Sequence, residues 1–462
     1  MKRKLGIALL VVLCTLGLAV LAARLYVHEG RGSVEAVDLR GKAFIEDIKG
    51  TKVVHLSGTP YEMGYGHGHL LKEDVRDVMG GLERGLDRLC RKSGVPRFVA
   101  TYILDLLYKR TSPHIPQRYK RELEGLADGS GVSLERLRRA HVVSVLTERA
   151  CSSFAVFGPA TADGKLYHGR NFDWAMGLGL QDKAALFLYH PEGHIPFASP
   201  SYIGSIGCLS GMNREGISIA QIGAVSTDSR FDGIPLMFLL RRLLEECRNV
   251  TEAEALIRGA RRTVGYNYVV ADGKAREARA FETSAHHCAT FRDDDPKEDQ
   301  AEYAIRIKGA VFRSDGAIDQ TVRRYQKCAR GYPNMPYGSN SYDHRYKGMA
   351  TRIQKNYGRI DANIALEILR ATAMRRVNLH SVLCAGTDRE MWVAHARGHA
   401  DAWKQPYVHY DLKKLFGKLG RTAASKAATK AAFKAATRAA PKAAPRATPK
   451  ATNPPSPSEI PR

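Results

Sequence analysis

The chain has 462 residues, 44% hydrophobic and 26% charged, the balance of a globular protein with room for a large core. Its eight cysteines are dispersed, with no CxxC and no Cys/His zinc spacing, which argues against a dense disulfide scaffold and against a zinc site. A net charge of +24 raises nucleic acid or an anionic surface as a partner, yet the charge is not in one block: from Arg421 nine basic residues face only Glu459, and +16 remains on the rest.

Residues 1–30 read as a signal peptide or membrane anchor. Lys2, Arg3 and Lys4 precede an uncharged run from Leu5 to Ala23, and Ala22-Ala23 offers a weak cleavage site. Either reading puts the body outside the cytoplasm, periplasmic, extracellular or held at the membrane. A single mixed body spans 35–411. Residues 61–148 are expected to be mostly helical, since "YKRELEGLADG" and "SLERLRRAHVVSVLTER" repeat apolar residues at three and four, with Ser133 as an N-cap. From Cys151 the pattern changes to hairpins. "SSFAVFGPATADGKLYHGRNF" turns at Asp163-Gly164, and two more turns fall at Glu215-Gly216 and Asp272-Gly273. "NLHSVLCAGTDREMWVAHA" adds a fourth hairpin. "PLMFLLRRLLEEC" and "TEAEALIRGARR" intervene as helices, the second with Thr251 and Glu254 as a capping box. Clustered hairpins separated by helix pairs predict α+β, with antiparallel sheets covered by helices. The stretch 421–462, Ala/Lys/Pro-rich with a basic residue every fourth position from Lys426 to Lys450, predicts a disordered tail.

Cys151, in "RACSSFAVFG", is either a small buried hydrophobe or a nucleophile. A nucleophile needs a base. A papain-like peptidase would use a distant histidine, with His168, His286, His287 and His380 as candidates. Alternatively the chain is cut before Cys151 and the new α-amine, with a pKa of roughly 7.7–8.0, serves as base. The return strand "YHGRNFDW" carries Arg170 and Asp173 three apart at its end, where a guanidinium can hold a thiolate charged and a carboxylate can bond the amine. The plainer alternative is an ordinary surface pair. "GYGHGHLL" places His67 and His69 without carboxylate or cysteine partners, so their use is structural, with Gly64, Gly66 and Gly68 allowing close backbone packing. The acidic "DDDPKED" reads as a solvated loop, and no Walker loop or GxSxG is present. No metal or cofactor is expected.

Six stretches in order carry a resemblance: "SGTPYEMGYGHGHLL", "ELEGLADGSG", "CSSFAVF" with "DGKLYHGRNFDW", "GMNREGISIAQIGA", "YNYVVADGKAREARAFE" and "NLHSVL". Together, over about residues 55–395, they resemble the autoproteolytic N-terminal-nucleophile cysteine acyltransferases and amidohydrolases related to fungal isopenicillin N acyltransferase. Bile salt hydrolases, penicillin V acylases and acid ceramidase-type amidases are more distant kin. The resemblance implies an αββα sandwich and self-cleavage at Ala150–Cys151, giving a helical chain 35–150 and a larger chain 151–411. It implies that Cys151 is nucleophile and, through its α-amine, base. It implies that Asp173 orients the amine and that Arg170 supports the sulfur, an arginine there being like the hydrolase branches. One position departs. Where the family has an asparagine that donates to the oxyanion, "AVFRSDGAID" has Asp315, and Asn267 is the substitute donor considered.

The expectation is therefore an exported amidohydrolase or acyltransferase that acts on a small N-acyl amide through a thioester. A second reading is a catalytically silent member that binds an anionic polymer or membrane through its basic tail. No specific nucleic acid is expected.

Overall fold

The computed structural model describes residues 26–27, 30–145, 150–174, 176–326 and 344–418. The expected signal or anchor with Cys14, the segment holding Cys328, and the basic tail lie outside the described residues. Among the described residues no helix is long and apolar enough to cross a membrane.

β1 (Ala43–Ile48) and β2 (Thr51–Gly58) open the fold. The helical region follows as α1 (Pro60–Leu70), α2 (Lys72–Ser93), α3 (Arg97–Thr111), α4 (Gln117–Ser130) and α5 (Leu134–Val142). The "GTPYE" stretch explains where α1 begins. Thr59 accepts from the Glu62 backbone, Glu62 reaches back to the Thr59 backbone, and Pro60 takes the first helical position. Close packing of glycines then joins α1 to α4. A Cβ on Gly64 would stand 1.9 Å from the Glu122 carbonyl oxygen, and one on Gly125 2.1 Å from that of Tyr61. Only glycine lets the two backbones approach so far. His67 lies between them and the sheet, its Nε2 accepting from the Gly204 N–H at 3.0 Å, which is the structural use expected of it.

After Ala150 come β3 (Ala150–Gly158), β4 (Gly164–Asp173), β5 (Ala184–Pro191), β6 (Phe197–Tyr202), β7 (Ser210–Asn213) and β8 (Ile217–Gly223). α6 (Leu236–Glu246) and α7 (Val250–Gly259) separate these from β9 (Tyr266–Asp272), β10 (Glu277–Thr283), β11 (Cys288–Phe291) and β12 (Ala310–Arg313). The chain ends its described part with α8 (Gln320–Tyr325), α9 (His344–Lys355), α10 (Ala362–Thr372), β13 (Asn378–Ala385), β14 (Glu390–His395) and β15 (Val408–Asp411). All four expected hairpins form, with Gly164 and Gly216 at positive φ in their turns. The cap of α7 is displaced from the expected Thr251–Glu254. Asn249 accepts from Glu252 N at 2.9 Å instead, because an Asn two residues earlier supplies an equally good oxygen acceptor.

Two sheets result. The larger runs β1-β2-β5-β6-β7-β8-β9-β10-β11 and the smaller β12-β3-β4-β13-β14-β15. They pack face to face, β3 and β4 against β8 and β12 against β10. One region of apolar contact sets Val53, Leu186 and Leu188 against Val382, Met391 and Val393. α6 and α7 pack on β7–β10 of the larger sheet, and α9 and α10 on β12, β4 and β13 of the smaller. This is the expected αββα sandwich. Most pairings are antiparallel, but β2 and β5 are parallel, which ties the segment before Cys151 into the larger sheet.

Candidate active site

Antiparallel alternation makes one end of the smaller sheet the meeting point of four strand ends. β3 begins there, β4 and β12 finish there, and β13 begins there. Cys151 at the start of β3 is therefore brought beside Asp173, the Ser314–Asp315 loop after β12, and Asn378. Ala150 stands opposite Asp173, and Cys151 opposite Phe172.

Cys151 is fully buried. Arg170 Nη2 donates to its Sγ at 3.3 Å. The guanidinium is itself seated by Gln221, whose carbonyl accepts from Nε at 2.9 Å and whose Oε1 accepts from Nη2 at 3.1 Å. Nη1 reaches the Ser210 hydroxyl at 2.7 Å and His380 Nε2 at 3.0 Å, and the cation lies over the Phe172 ring at 4.7 Å. Burial pushes the Cys151 thiol up. Arg170 opposes that shift, and the charges of Asp173 and Asp315 add to it.

The carboxylate in contact with the Cys151 nitrogen is Asp315, not Asp173. Asp315 Oδ1 accepts from that N–H at 3.0 Å. Its other oxygen pairs with Arg345 Nη2. Arg345 Nη1 also donates to the Cys151 carbonyl at 3.1 Å and stands 3.6 Å from Asp173 Oδ2. Asp173 accepts from Asn378 Nδ2 at 2.9 Å, and burial drives its carboxyl up to about 7 despite Arg345 and Asn378. At the position where the resemblance implies an oxyanion-donating asparagine, the β12 loop directs Asp315 at the Cys151 nitrogen. Asn267 does not substitute. Its Nδ2 is committed to the carbonyls of Ser314 and Gly316, at 3.0 and 2.8 Å.

None of the candidate histidines bonds the sulfur. His168 bridges the sheets between Ser153 and Ser218 at 3.2 and 2.8 Å, and His380 bonds Arg170, Ser210 and Tyr202. His286 is bound to Asp228 at 2.6 Å, and His287 stacks on Tyr325. Burial holds the His168 ring down at about 3 and that of His380 well below its usual range. Among the described residues no cluster of three or more His, Cys, Asp or Glu side chains could hold a metal.

Sequence reading missed Arg345, Asn378 and Gln221. Arg345 sits in a generally basic stretch with no local signal. Gln221 had one, a lone amide in the apolar strand "GISIAQIGA". Its Oε1 must face Arg170, which has no acceptor, so the orientation of the amide is decided. Nε2 is then a buried donor with no bonded partner among the described residues.

Beyond the Phe172 ring, a small space lined by Trp174, Tyr202 and Leu209 shares Met79, Leu82 and Val143 with a larger apolar cavity of about 540 Å³. The larger one lies between α2, α3 and α5, and is lined by Leu86, Leu104 and Leu178 with Arg88, Arg97, Arg136 and Arg139 at its wall.

Residues 160–302 match the family described as acyl-coenzyme A:6-aminopenicillanic acid acyl-transferase. Protein dcd1B of Dictyostelium discoideum is 29% identical over 269 residues, 54% of this chain and 54% of that protein. The N-acylethanolamine-hydrolyzing acid amidase of Rattus norvegicus is 26% identical over 172 residues, 34% of this chain and 45% of the other. A solved Caenorhabditis elegans ortholog of that amidase superposes with TM-score 0.39 and 15% identity, covering 56% of this chain and 98% of its own. The chain spans about half the length of the curated relatives it matches. Over residues 160–302, between a third and two thirds of the way along the chain, this protein is thus similar to the family described as acyl-coenzyme A:6-aminopenicillanic acid acyl-transferase.

Proposed function

We propose that this protein is a self-maturing cysteine amidohydrolase that cleaves small N-acyl amides. One observation carries the reading: the first inward residue of β3 is a buried cysteine with a guanidinium on its sulfur at 3.3 Å and a carboxylate on its nitrogen at 3.0 Å. Cleavage of Ala150–Cys151 turns that nitrogen into an α-amine, which Asp315 and Arg345 hold in place. The amine takes the thiol proton, and Arg170 stabilises the thiolate as it attacks the amide carbonyl. Gln221 Nε2 supplies a hydrogen bond to the tetrahedral oxyanion, the task that Asp315 does not perform. The leaving amine takes the proton from the α-ammonium, and water hydrolyses the thioester by the same amine acting again as base. The acyl group lies along Phe172 and Trp174 into the 540 Å³ apolar cavity, which suits a hydrophobic chain better than a polar one.

The silent reading drew its support from an acidic residue at the oxyanion position and from the basic repeat of the tail. Asp315 bonds the Cys151 nitrogen, so the first of these lapses, and the tail lies outside the described residues. Export, with the 1–30 segment removed or retained as an anchor, remains part of the proposal on the strength of its basic start and uncharged run.

The test is sequencing of the purified protein together with turnover of a fluorogenic N-acyl amide. Two chains, the larger beginning Cys-Ser-Ser-Phe, with turnover lost in Cys151→Ala, are the expected result. A wild type that stays one chain through long incubation would overturn the proposal.

A further inference from the structure

Every catalytic part described so far belongs to the mature enzyme, yet the intact chain already holds its scissile nitrogen in a particular way. The Ala150–Cys151 amide nitrogen sits 3.0 Å from a carboxylate oxygen in a fully buried site. Amide nitrogen is a poor leaving group until it receives a proton. Buried Cys151 is held largely as the thiol, so its proton must also be moved.

We propose that Asp315 is the proton carrier of self-cleavage. This rests on the reading of Ala150–Cys151 as the scissile bond. As Sγ attacks the Ala150 carbonyl carbon, the Asp315 carboxylate takes the thiol proton. The C–S bond forms, the nitrogen pyramidalises, and Asp315 returns the proton to it as the C–N bond breaks. The products are an Ala150 thioester on Cys151 and a free Cys151 amine, with Asp315 again a carboxylate. Water then hydrolyses the thioester, giving the Ala150 carboxylate and the thiol.

Three features of the geometry fit a carrier better than a simple acceptor. Arg345 pairs with Oδ2, while Oδ1 is the oxygen on the scissile nitrogen. The loop is clamped on both sides of the carboxylate, by Asn267 through the Ser314 and Gly316 carbonyls and by Glu282 through the N–H groups of Ile318 and Asp319 at 2.8 and 2.7 Å. Charged and titratable groups facing Asp315 include Cys151 from β3, Asp173 from β4 and Arg345 from α9. Asp173 is held by Asn378, and the carboxylate bonded to the scissile nitrogen is that of Asp315. The resemblance puts asparagine at this position. Its amide can donate and accept hydrogen bonds but transfers no proton.

The experiment follows processing of full-length protein at fixed pH in wild type, Asp315→Asn and Cys151→Ala. In Asp315→Asn, cleavage slows by about 100-fold or more, the protein still melts in a single cooperative transition, and hydroxylamine does not release the fragments because no thioester has formed. Cleavage of Asp315→Asn within a few-fold of wild type, or its rescue by hydroxylamine, overturns the proton carrier. A wild type that never cleaves overturns the scissile-bond reading itself. Should Asp315→Asn fail to fold, wild-type processing in D₂O decides: a slowing of about twofold or more supports a proton in flight to nitrogen, and an unchanged rate overturns it.

Discussion

Asp315 and Arg345 form a buried ion pair that grips Cys151 at both of its peptide groups. The carboxylate takes the N–H at 3.0 Å, while the guanidinium donates to the carbonyl at 3.1 Å. The same arginine is the nearest cation to Asp173, at 3.6 Å. One guanidinium is therefore shared between two carboxyl groups beside the nucleophile.

Removing it leaves the buried Asp315 carboxylate without its guanidinium and Asp173 without this cation, the situation that makes breaking a buried pair costly. Arg345→Met in a Cys151→Ala background, where cleavage does not intrude, is expected to lose about 3–5 kcal/mol in denaturant unfolding. With Cys151 present, the same substitution is expected to stop processing. A loss under about 1 kcal/mol would mean the pair is solvated in solution.

Gln221 has two separable tasks, seating Arg170 through Oε1 and presenting Nε2 as a donor. Gln221→Leu removes both, and Gln221→Glu keeps the acceptor while losing the donor. If the donor meets the oxyanion, both variants lose about 100- to 1,000-fold in kcat on the N-acyl amide. Retention of turnover in Gln221→Glu alone would reduce Gln221 to a support for Arg170.

The apolar cavity predicts how acyl length is discriminated. Leu86 lines it away from Cys151, so Leu86→Trp fills space without touching the reacting atoms. KM for long-chain substrates is expected to rise about tenfold or more, with short-chain acyl amides little changed, since each lost methylene contact is worth about 0.8 kcal/mol. Equal effects on short and long chains would place the acyl group elsewhere.

His168 and Asp173 predict opposing pH dependences of stability. The His168 ring sits at about 3 in the fold, because burial and the Arg170 charge disfavour its cation, against an ordinary value of 6.5. The unfolded chain therefore binds the extra proton, and its contribution is full above about 6.5 and lost as pH falls toward 3. The Asp173 carboxyl, up at about 7 from 3.8, acts the other way: its contribution is full below 3.8 and lost as pH rises through 7. Chemical denaturation between pH 4 and 7 in the Cys151→Ala background should show a flatter acid limb in His168→Asn and a steeper one in Asp173→Asn.

The cleaved pieces are expected to stay together. β2, from the first piece, is an interior strand of the larger sheet and pairs with β5 from the second. Arg241 on α6 is fully buried, bonds Glu122 on α4 at 2.8 Å across the same junction, and is braced by Glu245 of its own helix at 2.8 Å. Gel filtration without denaturant should give one peak containing both chains. Two peaks would mean these contacts do not survive cleavage.

Local features were the legible part of the sequence. Each hairpin could be read because its turn residues and flanking alternation lie within twenty positions. The cap at Asn249 was misplaced by two residues because Thr251 offers a similar acceptor a short step away. The parallel β2–β5 pair was not read at all. Parallel pairing joins strands far apart in the chain, and its register leaves no local mark.

By itself the sequence determined that Cys151 opens a strand and that Arg170 and Asp173 close its hairpin partner, because period-two alternation and a tight Asp163-Gly164 turn are local physics. Only the tertiary structure decided which carboxylate meets the nucleophile's nitrogen. Asp315 lies 164 residues beyond Cys151 and reaches it by the pairing of β12 with β3, while Arg345 arrives from a helix on the covering layer. Strand order within a sheet is a balance of the whole core, and no short stretch of residues carries it.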